Sequence, residues 1–172
     1  MGQSAEAGST GSILDQLEAA QRALRDHDAG AAVALAEAVL RAAPDSLDAW
    51  LLLGAAHLQR HDAASARLAN QRAIELAERA LSRALLQSAL AEAQAHRWLS
   101  VVRHAERLLV LEPEEGQAHY LLARALLHVD RDESRAREHL RQAIAHRPEL
   151  REEAARDAHL AELLAHIGDE GW

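Results

Sequence analysis

Three prolines and three histidines keep a common interval along this chain, and that interval limits the folds open to it. Pro44, Pro113 and Pro148 close apolar stretches reading AVLRAAP, RLLVLEP and RQAIAHRP, 69 residues apart and then 35 apart. His27, His61 and His96, in RDHDA, QRHDA and AHRWL, are spaced by 34 and 35. Each histidine lies 17 residues before a repeat boundary. A period of this length is that of a two-helix repeat, whose faces are buried only by stacking on neighbouring repeats. Proline stops the second helix of a pair, because it lacks the backbone donor and disfavours helical backbone in the preceding residue. The histidines fall where the first helix turns into the second. Such turns call for left-handed backbone, which Gly, Asn, Asp and His tolerate better than other residues. A fourth turn, HVDRDES, carries one extra residue.

Composition agrees with an all-helical chain. Of the 172 residues nearly half are apolar, yet there is no Phe and one Tyr, and the supply is mostly Ala and Leu. Ala and Leu are the best helix formers, whereas sheets favour aromatic and β-branched residues. All 19 basic residues are Arg, which points to a GC-rich, bacterial genome, and the net charge of −8 disfavours nucleic acid or an anionic membrane as partner. With no cysteine, disulfides, thiolate metal sites and a Cys nucleophile are excluded. The opening MGQSAEAGSTGS lacks the apolar core of a secretion signal, and Glu6 breaks the myristoylation pattern. No apolar run reaches membrane-spanning length. A cytoplasmic protein is expected, or a periplasmic one if a signal peptide has been removed.

Within DAWLLLGAAHLQRHDAASA, residues Trp50, Leu53, Gly54, His57, Ala66 and Ala73 resemble the tetratricopeptide repeat. In that pattern a Trp-x2-Leu-Gly-x2-Tyr helix precedes a helix with two spaced alanines. His57 stands where Tyr is usual and Glu78 where the closing Pro is usual, so this second helix is expected to run on, through ELAERAL. The first repeat closes at Pro44 and offers Ala32. The third has Ala89 in place of the Gly and Trp98 in its turn, but departs at Ser88, Glu92 and Val101. The fourth matches at Leu122, Ala123, Leu126, Ala136, Leu140 and Ala143. The resemblance implies an all-α, right-handed superhelix, or α-solenoid, of antiparallel helix pairs. Four repeats are expected at about 13–46, 47–79, 80–114 and 115–148, after a flexible tail at 1–12. One capping helix is expected at 149–168, with Leu150, Ala154, Leu160, Leu163, Leu164 and Ile167 near one side. Gly168 is expected to stop it, leaving a tail at 169–172 with Trp172 docked loosely or free.

Chemistry-bearing motifs are absent from the sequence. There is no Gly-rich phosphate loop, no Gly-x-Ser-x-Gly elbow and no His-Glu-x-x-His. His57 and His61 have the spacing of two ligands on one helical face, but a zinc site needs a third and His61 belongs to the turn. The turn histidines are a whole repeat apart, too far to share an ion. Acidic pairs at 114–115 and 152–153 suit helix starts, and Glu75–Arg79, Glu133–Arg137 and Glu152–Arg156 suit exposed helix faces. No metal, cofactor or catalytic residue is expected.

If the resemblance holds, the first helix of each repeat lines a concave face. The lining positions are Leu51, Ala55, Leu58 and Gln59 in the second repeat, Leu86, Leu90 and Gln94 in the third, and Tyr120, Arg124, Leu127 and His128 in the fourth. Tetratricopeptide domains that clamp an acidic C-terminus use Asn and several basic residues, and here only Arg124 is basic. The aliphatic wall suits a partner's amphipathic helix or apolar peptide. The same leucines could instead pack inside the superhelix, against the N-terminal segment or a second copy. The resemblance therefore implies a non-catalytic protein–protein interaction scaffold. Two other readings remain: a recruiting arm of a larger multidomain enzyme, and a self-assembling module forming a homo-oligomer.

Overall fold

The computed structural model describes residues 4–129 and 131–169. It is all-α, with no strand among the described residues. The helices are α1 (Ser4–Arg25), α2 (Ala29–Ala42), α3 (Leu47–Gln59), α4 (Ala63–Gln94), α5 (Trp98–Leu111), α6 (Gly116–Val129), α7 (Glu133–His146), α8 (Leu150–Arg156) and α9 (Ala158–Asp169). They form two compact units that divide within α4, between Arg79 and Ala80.

Each proline ends a helix in the same way. The residue before it is Ala43 (φ −137°, ψ 82°), Glu112 (φ −130°, ψ 82°) or Arg147 (φ −138°, ψ 86°), the extended backbone a following proline ring imposes. At Glu78, where the fourth such proline is missing, no stop occurs. The helix continues past residues 75–81, where it was expected to tail off, and ends at Gln94. The repeat boundary placed at 79–80 is therefore helical, because nothing there removes a backbone donor.

The histidines behave as their spacing suggested. His27, His61 and His96 have φ of 59°, 59° and 55°, and in the fourth turn the extra residue shifts this role to Arg131, at 51°. Behind each histidine the helix closes with paired backbone bonds, such as His61 N–H to the Leu58 carbonyl (3.0 Å) and Asp62 N–H to the His57 carbonyl (2.9 Å). The next residue then starts a new helix. Asp28, Asp62 and Asp132 accept from the backbone N–H of Ala31, Ser65 and Arg135 at 2.9, 3.1 and 3.0 Å. The hydrogen bonds from Ser65 hold the Asp62 carboxyl below its ordinary range. Arg97 takes the corresponding place in the third turn without a side-chain cap, pairing instead with Glu92.

Left-handed backbone costs a residue with a side chain about 1–2 kcal/mol, partly offset by the extra freedom glycine has when unfolded. His61→Gly is therefore expected to stabilise the protein by about 0.5–1 kcal/mol, read as a higher urea midpoint. A lower midpoint would mean that the His61 ring makes a stabilising contact of its own.

In the N-terminal unit α2 packs between α1 and α3. The core is small-residue rich: Ala32, Val33, Ala36, Leu53, Ala56 and Ala69 in one cluster, and Leu17, Val39 and Ala49 in another. Short side chains let the helices approach closely, as at Gly54, where a Cβ would overlap the Asn70 side-chain amide. Gly54→Ala is expected to cost about 1 kcal/mol, low in the range for overpacking because one methyl is added and an amide can swing. Adding Asn70→Ala should recover most of that loss, and a denaturation double-mutant cycle measures the coupling.

In the C-terminal unit α6 lies between α5 and α7 and also meets α8 and α9. Its residues from Ala118 to Ala123, with Ala125 and Leu126, are buried. Leu140, Leu150 and Leu160 complete that core with no exposed surface.

The ends differ from expectation. Helix α1 begins at Ser4, inside the segment read as a flexible tail at 1–12, and residues 1–3 lie outside the described residues. The expected single capping helix at 149–168 is two helices broken at Asp157 (φ −86°, ψ 118°). The reason lies in that side chain: Oδ1 accepts from the N–H of His159 (3.0 Å) and Leu160 (3.4 Å), starting α9, while Oδ2 faces Arg124. Gly168 lies within α9, which is described as far as Asp169, and Trp172 lies outside the described residues.

Candidate partner-binding surface

The sequence-derived wall residues fall into three groups, and each meets a different environment. On α3, Leu51 and Leu58 stay 49% and 57% exposed, Ala55 is half-buried and Gln59 exposed. The Gln59 amide also donates to the Leu24 carbonyl (2.9 Å), tying the end of α3 to the end of α1. On the second half of α4, Leu86 packs against the core while Leu90 and Gln94 are exposed.

On α6 the wall is covered by the chain itself. Arg124 Nε pairs with Asp157 Oδ2 at 2.8 Å, and the Asp157 side chain is only 12% exposed. The ring of His128 meets that of His159 at 4.8 Å, edge to face. Leu127 packs against the core cluster that contains Leu160 and Leu163. Tyr120, expected on an open groove, is instead buried in that cluster, because α8 and α9 fold back over this side of α6. Burial, and next the negative charge of Asp157, push its phenol above the ordinary value. The cover leaves a cavity of about 430 Å³ lined by Leu127, His128, Arg131, Glu133, His159, Glu162 and Leu163.

Sequence reasoning missed the ring stack beside this wall. Trp98 lies face to face with His128 (centroids 4.1 Å apart, planes 5° apart), and the Arg124 guanidinium sits 5.1 Å from the Trp98 ring. Burial, then the neighbouring His159 and Arg124, hold His128 below the ordinary histidine value. As a turn residue Trp98 gives no sign of this stack, since nothing in its spacing points to a helix thirty residues on.

A second missed pair was present in the 69-residue offset. Trp50 and His119 occupy equivalent positions, as do Pro44 and Pro113. The Trp50 indole N–H donates to the Pro44 carbonyl at 2.7 Å, and His119 Nε2 makes the same contact with the Pro113 carbonyl at 2.9 Å. A carbonyl only accepts, so His119 Nε2 carries the proton and neutral His119 presents Nδ1 as an acceptor. His139 Nδ1, 2.9 Å away, is then the donor.

The pH dependence follows from His139. Burial first, then the neighbouring His119 and Arg135, hold it below the ordinary histidine value, with Glu138 and Glu106 acting the other way. Unfolded chain therefore binds a proton that folded chain resists, and this contribution is complete above about pH 6.5 and falls as pH drops below it. His139→Gln is expected to flatten the decline of the urea midpoint between about pH 7.5 and pH 5. An unchanged slope would assign the decline to other groups.

His57 Nδ1 is engaged by Asp62 (3.3 Å) and His61 has left the helix, so the two do not share a face. Among the described residues no group of three or more His, Asp or Glu is placed to hold a metal ion, and no helix is long and apolar enough to cross a membrane. Among the described residues the chain is all-helical, with exposed leucines along α3 and a self-covered side on α6. No protein-family model matches the chain, and no curated protein matches it.

Proposed function

We propose that this chain is a protein–protein interaction scaffold without catalysis of its own, built from tetratricopeptide-like helix pairs stacked as a right-handed α-solenoid. On this reading it binds a peptide or amphipathic helix of a partner along the first helices of its repeats. The supporting observation is the α3 wall: Leu51 and Leu58, seven residues apart on one side of the helix, are about half exposed. Helical walls of this kind take the apolar side of a partner's helix. A net charge of −8 argues against nucleic acid as the partner.

The test is affinity capture with wild type beside a variant carrying Leu51→Asp, Leu58→Asp and Leu90→Asp. All three residues are exposed, so the circular dichroism spectrum should not change. Proteins held by wild type and lost by the variant support the scaffold reading. Capture of nothing by either, or equal capture by both, overturns it.

A further inference from the structure

The second and fourth repeats place equivalent residues 69 apart: Leu51 with Tyr120, Ala55 with Arg124, Leu58 with Leu127, and Gln59 with His128. In the fourth repeat these positions are occupied by the chain's own α8 and α9, through the Arg124–Asp157 pair, the His128–His159 contact and the core shared with Leu160 and Leu163. In the second repeat Leu51 and Leu58 are exposed, Ala55 is half-buried, and Gln59 is exposed while donating to the Leu24 carbonyl. One molecule therefore displays equivalent helix positions covered in one repeat and exposed in another.

We propose that Leu51, Ala55 and Leu58 of α3 receive an amphipathic helix of a partner protein, seated as α9 is seated on α6. This rests on the scaffold reading and adds the partner's chemistry. The apolar side of α9 presents Leu160, Leu163 and Leu164, the three- and four-residue spacing that lines one helical face. The partner helix carries leucines, or residues of that size, at the same spacing. Its N-terminal end differs from that of α9 in one respect. Arg124 selects a carboxylate, Asp157, whereas Ala55 offers no charge to pair with. An acid at that point would be desolvated against α3 without compensation, so the partner has a neutral residue there.

The probe is a fluorescent synthetic peptide of residues 150–165, made with Asp157 and with Asp157→Asn, which keeps a helix-capping side chain and removes the charge. It is titrated into the full chain by anisotropy. The Asn peptide is expected to bind at least as tightly as the Asp peptide. Leu58→Asp in the protein should weaken binding about thirtyfold, the loss typical of one anchor in a helix–groove contact, with an unchanged urea midpoint. A photoreactive residue at position 58 should crosslink to the peptide.

Three results would overturn the inference. Binding that prefers the Asp peptide and ignores Leu58→Asp would place the probe on α6, in exchange for α9. A wild-type dimer that Leu58→Asp converts to monomer would make a second copy the occupant. Absence of peptide binding, with captured proteins still held by the Leu58→Asp protein, would remove the α3 seat and leave the scaffold reading standing.

Discussion

Glu78→Pro is expected to cut α4 in two and to lower stability by about 3 kcal/mol. A proline there cannot donate to the Ile74 carbonyl, and its ring collides with that carbonyl. The loss should stop at the intrinsic helix penalty, because Ala77, Glu78, Arg79 and Ala80 are all exposed and no core contact goes with the bond. Far-UV ellipticity should fall by about one turn of helix, while the near-UV signal of the tryptophans stays as in wild type. Limited proteolysis should gain a cleavage near residue 78. A negligible loss of stability would mean that this boundary accepts the same turn as those before Pro44, Pro113 and Pro148, and that α4 is continuous only for want of a stop.

Asp157→Ala should destabilise the C-terminal unit by about 2–3 kcal/mol. Two contributions make up that figure. Loss of the α9 cap costs about 1 kcal/mol. Leaving Arg124 without its carboxylate costs about 1–2 kcal/mol, less than for a fully buried charge because a third of the Arg124 side chain still meets solvent. Asp157→Asn retains a capping oxygen and should recover about half the loss. Urea denaturation gives the magnitudes, and hydrogen exchange locates the effect: the amides of His159, Leu160 and Ala161 should lose protection before those of α6. Equal loss of protection in both helices would make α9 inseparable from the core of the unit.

Much of this architecture was legible because the signals are local. A proline acts on the residue before it, and a left-handed turn needs only a tolerant residue, so Pro44, Pro113 and Pro148 and the three turn histidines could be read one at a time. The missing proline at Glu78 announced a longer helix, though not its length. That depended on the absence of any breaker as far as His96. The exposure of Leu51 and Leu58 agrees with the resemblance, which assigns Leu53 and Gly54 to helix packing and the residues beside them to the open side. What could not be read depends on distant partners. Asp157 sits within an unbroken amphipathic pattern, and only Arg124, far back in the chain, shows why the helix breaks there. Tyr120 looks like a groove residue until α8 and α9 return over it. The His119–His139 pair needed the repeat offset and a structural neighbour together, because a histidine replacing a tryptophan leaves space that a residue on the next helix fills.

The pairing of sequential helices also sets how the chain reaches its native state. Helix α2 lies between its neighbours α1 and α3, and α6 between α5 and α7. Trp50 clasps a carbonyl six residues behind it. Such contacts close short loops, so little chain entropy is lost before they form, and domains of this kind fold on the order of microseconds to milliseconds. Synthesis adds only about 5–20 residues each second. The first three helices therefore have time to search and settle while the ribosome is still making α6, and the late step belongs to Asp157, which must wait for its own synthesis before Arg124 has a partner.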